Sequence, residues 1–396
     1  MVKEELLRRA DDHIFSMGLN DSGSRLGLAN MRYGLAKIHW VQERLGLLPD
    51  GVFIAAPDLT VTRNRNRWRS GFGYGGKLAW GDGGEEFIVL DLKPNCCGML
   101  VGGLESLPSS EGILERAQAL KSEEQAVVGV AVAWDFHISN HFIGVYRVER
   151  LTADPLPGFV FVMHCSGGEL RGQTSLGDGL YWDESEALRK KADLFETPFG
   201  PLRVLVGSRA AAYYEFFGQA EAFAKARRCL AGERLFGDYH LISNATHQGL
   251  VNMNTMVLGA YNVEGTDSPF PLMLRADLPA YLVKGKTNLS SETVSALGFE
   301  ERARQVGVYE ELRSASIIPH GGGYTFPHLD EVLSVADTDG ERCFEVSIRN
   351  DGRRQFLSDV RSLAFAYRGE EVLSRVLDLG MAELLARLDL VHAFKV

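Results

Sequence analysis

The chain has 396 residues, of which 45% are hydrophobic and 24% charged, and a formal net charge of −10. That length and composition bury a sizeable core without staples, and five cysteines, an odd number, argue against a disulfide framework. No run reaches the ~18 uninterrupted apolar residues of a membrane helix. The acidic balance argues against nonspecific nucleic-acid binding by the whole molecule, while leaving room for a local basic groove.

The amino terminus, MVKEELLRRADDH, is charged throughout and lacks the apolar stretch of a secretion signal, so the cytoplasm is the expected location. Residues 2–12 and 26–46 carry apolar side chains at spacings of three and four, which predicts helices. From Val52 to Gly103 the texture changes to short apolar runs between glycine clusters, the pattern of strands and tight turns. Inside it, Arg63, Arg65, Arg67 and Arg69 alternate with Asn64, Asn66 and Trp68. In an extended segment the four arginines would share one side, either as a solvated loop or as a contact for phosphate or RNA. A helix is predicted at 111–122, strands at 126–134, 142–148 and 158–165, helices at 185–196 and 209–231, and a closing helix at 369–388. Strands and helices intermix without the regular alternation of a doubly wound sheet. The expected fold is a single complex α+β domain over residues 1–396, with 1–50 as a helical lead-in and 51–396 as the motif-bearing core.

Three of the ten histidines sit beside strand ends or turns. His141 precedes an apolar strand in HISNHFIGVY, His164 ends one in FVFVMHCSGGELRG, and His247 lies among turn-forming residues in NATHQG. Such loops let a rigid sheet aim side chains at one point. PNCCGML adds Cys97 beside Cys96. One thiol and three imidazoles make a shell for a divalent transition metal, although each of these residues also has an ordinary reading as a packing residue.

Taken in order, these segments resemble the RtcB-type RNA ligases, from about Pro57 to Lys395. The matching pieces are Pro57-Asp58, Cys97-Gly98-Met99, Asn140-His141-Phe142, His164 with its SGGELRG loop, and His247-Gln248. Lys284-Gly285-Lys286-Thr287, Pro319 with HGGGY, Ala366-Tyr367-Arg368 and Lys395 follow. The resemblance implies an α+β fold with mixed sheets around a central metal-binding cleft. It implies GTP- and manganese-dependent joining of an RNA 3′-phosphate or 2′,3′-cyclic phosphate to a 5′-hydroxyl. The partners would be tRNA halves or broken RNA, with an archease-like activator and no membrane. By the same carry-over, Cys97 bridges two ions whose shells His141, His164 and His247 complete. Asn140, Gly167, Gly168, Gly321 and Gly322 lie along the nucleotide phosphates, and Lys395 meets the guanine. Manganese comes from the resemblance; thiolate plus imidazole suits Zn2+ equally.

The chain departs from the family at telling places. The family's metal-binding aspartate falls on Pro94, which leaves Asp91 and Asn95 as the candidate replacements. Gly144 stands for a glutamate and Thr60 for a histidine. The loop bearing the family's guanylylated histidine aligns with RNDGR and offers Arg349, or Asn350 one register on. Neither side chain forms a phosphoramidate with GMP. His320, ahead of three glycines, is the candidate replacement nucleophile. Without guanylylation, the alternatives are a metal-dependent phosphoesterase or RNA-end-processing enzyme, and a non-catalytic protein that binds RNA or nucleotide.

Overall fold

The computed structural model describes residues 2–287, 289–338 and 340–396. Its architecture is mixed α+β, built on an eleven-stranded sheet. In sheet order the strands are Ile14–Ser16, Val52–Val61, Gly73–Ala79, Thr255–Leu258, His240–Asn252, Cys97–Leu104, Phe159–Cys165, Phe142–Arg150, Ala382–Phe394, Ala280–Gly285 and Phe270–Leu272. The first pair is parallel and the rest are antiparallel.

Two long helices cover this sheet. Ser22–Arg44 is capped by Asp21, whose carboxylate accepts the Ser24 N–H. It lies so close to the sheet that a Cβ on Gly34 would stand 2.6 Å from the Phe72 ring. Ser208–Phe236 packs Phe217, Ala220, Phe223 and Ala224 into the core and, unusually, buries Arg227 and Arg228 as well. A three-stranded antiparallel sheet, Leu329–Thr338, Glu341–Ile348 and Arg354–Leu357, forms a separate layer. Among the described residues, no helix is long and apolar enough to cross a membrane.

Several expected elements take other forms. The 126–134 run is a small hairpin of Ala126–Val127 with Val130–Ala131, because Val128 and Gly129 turn at positive φ. The helix expected at 185–196 ends at Lys191, and Asp193–Thr197 pairs as a strand with Gly200–Val206. The closing helix covers only Glu371–Asp378. Gly380, at φ 65°, ends it, and Ala382–Phe394 joins the large sheet between two partners. The NATHQG segment is not a turn but part of the strand His240–Asn252, irregular at Thr246/Gln248. Residues 65–69 form a short helix capped by the Asn64 side chain, not an extended segment.

Candidate metal centre

Strand register brings the site together. Met99 lies opposite His164, Phe142 lies opposite His164 on the other side, and Cys97 lies opposite Gln248. Cys97, His141, His164 and His247 therefore emerge at one end of four neighbouring strands. The approach to Cys97 is tightly bent, with Lys93 and Cys96 both at positive φ. The Cys97 N–H donates to Asn95 Oδ1 at 3.0 Å, and the Cys96 N–H donates to Gln248 O at 3.1 Å. Unfavourable backbone of this kind persists where the surroundings over-determine it, often at functional sites.

Cys97 Sγ stands 3.0 Å from His164 Nε2 and 3.6 Å from His141 Nε2, and His164 Nε2 stands 3.2 Å from His247 Nε2. Cys97, His141 and His164 form a buried group that can hold a metal ion, their ligand atoms all within 4.8 Å of one another. Donors bound at ~2.0–2.3 Å in a tetrahedral shell stand roughly 3.3–3.6 Å apart, close to the separations seen here. His320 joins the edge of the group, its ring 4.4 Å from that of His247.

Hydrogen bonds set which ring nitrogen faces the centre. His141 Nδ1–H donates to the Asp135 carboxylate at 2.9 Å, with the Asp135 carbonyl 3.2 Å away. His164 Nδ1–H donates to Asn140 O at 3.1 Å. His320 Nδ1–H donates to Gly259 O at 2.6 Å, beside Asp58 Oδ2 at 3.2 Å. Each bond commits the Nδ1 proton and turns Nε2 towards the centre, the arrangement in which histidines ligate metals. His247 Nδ1 is buried without a partner, so its orientation comes from packing against His320 and Tyr261.

The electrostatics follow from the same contacts. Burial pushes the Cys97 thiol up, but His164, His247 and hydrogen bonds with His141 and His164 outweigh it and bring it well below its ordinary value. Burial pushes His141 down, and its bonds to Asp135 and Cys97 reverse this, raising it to about 10. Burial holds His164 low and takes His247 to about 3. Asp135, which burial would raise, is brought to about 2 by His141 and Arg227. The metal-free centre is thus a thiolate–imidazolium pair beside two neutral imidazoles, and an ion has one proton to displace.

A cavity of about 610 Å³ opens beside the cluster. Its walls include His164, His320, Asn140, Gly321, Gly322 and Lys395, with Thr60, Tyr324 and Tyr367. The Lys395 amine donates to Ser139 O across the rim. Other expected site residues fall elsewhere. Gly167 and Gly168 are not among the cavity's walls, since the Gly167 N–H turns back to Asn95 O at 3.1 Å and Gly168 opens a 3₁₀ turn. Asp91 is fully buried and turned away, accepting the Arg203 N–H at 2.9 Å. Asn95 uses its side-chain oxygen to hold the Cys97 backbone. Arg67 is no polyanion contact: its buried guanidinium donates to Leu92 O, Lys93 O and Thr62 Oγ1. Arg63, Arg65 and Arg69 are exposed, Arg63 lying over the Phe365 ring at 4.5 Å. Arg349 sits at the tip of the three-stranded sheet, bonded to His328 O and outside the cavity's walls.

Asp135 and Arg227 went unmarked in the sequence, and Asp58 entered only within a matching motif. The available signals were a carboxylate six residues before His141 in DFHISNH and a double arginine on an apolar helix face. No protein-family model matches the chain, and no curated protein matches it.

Proposed function

We propose that this chain is a metal-dependent enzyme of RNA ends, joining a 3′-phosphate or 2′,3′-cyclic phosphate to a 5′-hydroxyl with GTP, as the resemblance to RtcB-type ligases implies. The observation that carries the reading is the meeting of Cys97, His141, His164 and His247 beside a cavity that also presents His320, Asn140 and Lys395. These residues lie far apart in the chain and were singled out by their order in it.

The donor set fits a divalent ion, Mn2+ by the resemblance and Zn2+ equally by ligand type. When bound, the ion supplies charge neutralisation for phosphate oxygens. The protein's own groups do the rest. Asn140 and Gly321 line the cavity, Gly322 beside them gives its N–H to Met273 O at 3.1 Å, and Lys395 supplies a cation at the rim. His320 has the form of a nucleophile: Gly259 O and Asp58 orient its Nδ1–H and leave Nε2 as the nitrogen that attacks. Burial lowers the ring's pKa, but the Asp58 carboxylate outweighs it and raises it, so the reactive form is the deprotonated one. Its attack on the α-phosphorus of GTP forms a P–N bond, breaks the α–β anhydride bond and releases pyrophosphate.

A second reading, phosphoester hydrolysis or end-processing without guanylylation, is favoured by one observation. The RNDGR turn carries no imidazole and lies outside the cavity's walls. Incubation with Mn2+ and labelled GTP, followed by denaturing electrophoresis, separates the two. Ligation predicts an acid-labile adduct that disappears in His320→Ala while bound metal is retained. An adduct that survives the substitution rejects His320. Absence of any adduct in metal-loaded wild type, with RNA present, rejects ligation and leaves the second reading.

A further inference from the structure

We infer that Asp135, clamped by Arg227, is the positioning residue that makes His141 a metal ligand. The inference rests on the metal reading of the cluster and extends it to the helix Ser208–Phe236.

Arg227 is fully buried in that helix, an expensive place for a guanidinium unless carboxylates meet it. Two do. Its Nη2–H donates to Asp135 Oδ1 at 2.8 Å, and its Nε–H donates to Glu169 Oε1 at 2.7 Å. Arg227 Nη2–H also donates to Ala133 O, while the Ala133 N–H donates to Glu169 Oε1 at 2.9 Å. The clamp therefore joins the loop leading to His141 with the loop that follows His164. Asp135 Oδ2 faces the other way, accepting from Ser166 Oγ at 3.2 Å and from His141 Nδ1–H at 2.9 Å.

With His141 neutral, as a ligand must be, the network carries one positive charge against two negative ones, an excess suited to a nearby cation and wasteful in an apolar core. It also controls a tautomer. With Nδ1–H given to the carboxylate, His141 turns Nε2 towards Cys97 Sγ, and an incoming ion has only the Nε2 proton to displace. An amide in place of the carboxylate reverses this. Arg227 claims the amide oxygen, the NH2 group turns to His141, and only a bare Nδ1 can receive it. The ring proton then sits on Nε2, where it blocks ligation. Truncation to alanine is gentler on the tautomer, because the backbone oxygen of residue 135 remains 3.2 Å from Nδ1. A purely structural role gives the opposite order, with the truncated variant worse than the near-isosteric amide.

The test is a Co2+ titration of the full chain, read by the thiolate-to-cobalt and d–d absorption bands, with circular dichroism to verify folding. Asp135→Asn is expected to weaken Co2+ binding ~10–100-fold and alter the d–d bands. Asp135→Ala is expected to weaken it less, and His137→Ala, an exposed change on the same loop, to leave it as in wild type. Should Asp135→Asn fail to fold, Arg227→Lys, which keeps the charge and loses the fork, is expected to bind about threefold or more weakly. Wild-type affinity in every folded Asp135 and Arg227 variant, or Asp135→Ala weaker than Asp135→Asn, overturns the inference while leaving the metal reading intact. No Co2+ binding by the wild type overturns both.

Discussion

The rings of His13 and His39 meet edge to face at 4.9 Å and 72°, and those of His141 and His164 meet at 5.0 Å and 72°. All four residues are buried. What separates the pairs is where their nitrogens point. His13 Nδ1 faces Arg9 O at 2.8 Å and His39 Nε2 faces Gly51 O at 2.7 Å, so each ring of that pair is tied to a backbone carbonyl, with His39 Nδ1 buried and unpartnered. Burial lowers both, His39 to about 3, and leaves them neutral. In the second pair the Nδ1 atoms are turned outward to Asp135 and Asn140, and the Nε2 atoms face the Cys97 sulfur. Ring contact and burial are common to a structural pair and a ligand pair; outward hydrogen bonds and a central thiol are not.

The largest expected effect comes from removing a central donor. Cys97→Ser and His164→Ala should each weaken divalent-metal binding by more than the ~100-fold typical of losing an outer partner. His13→Ala should leave affinity unchanged in the same equilibrium dialysis. Equal losses in both pairs would erase the distinction. Next is stability. Metal at ~100 times its Kd should raise the unfolding free energy by ~2.7 kcal/mol, seen as a shift in urea midpoint, and His164→Ala should lose that increment. His39→Leu should instead lower stability by about 1–3 kcal/mol, because Gly51 O loses its buried donor, with the metal increment retained.

The pairs should also answer pH in opposite ways. His39 titrates at about 3 in the folded chain against an ordinary 6.5. Between those values the unfolded chain holds the extra proton, so stability falls as pH is lowered through that window. His39→Leu should flatten that part of the curve. His141 titrates at about 10, above its ordinary 6.5. In the metal-free protein its proton favours folding fully below about 6.5, and that contribution is lost as pH rises through 10. A metal must displace the proton, so affinity should rise with pH and calorimetry in two buffers should register about one proton released per ion. The smallest effect concerns the arginines, where the same contrast of closed and open polar groups recurs. Replacing Arg63, Arg65 and Arg69 by alanine should reduce the salt slope of RNA binding by ~0.7 for each of them that meets a phosphate. Arg67→Ala should chiefly destabilise the turn at Leu92 and Lys93.

Much of the centre was legible from residue type and place. Thiol and imidazole are the side chains that ligate soft divalent ions, and Cys97, His141 and His164 stand at the ends of apolar runs that do form strands. His247 was legible as a ligand candidate while its strand was not, because NATHQG lacks apolar alternation and is held in the sheet by its neighbours. The closing leucine-rich run misled for the converse reason. Its apolar spacing suits a helix, and only two flanking strands made an edge-free place for it in the sheet.

Composition, charge and short-range pattern thus determined the element types over most of the chain, the α+β class, and Cys97, His141 and His164 as residues able to bind a metal. Those properties depend on local stereochemistry and on side-chain chemistry, both written in the sequence. Only the tertiary structure decided direction. Asp91 faces Arg203 instead of the centre, Arg67 closes on backbone carbonyls, and Asp135 reaches His141 with Arg227 behind it. Such choices turn on partners brought from distant parts of the chain, because a buried charge goes wherever folding places the group that can satisfy it.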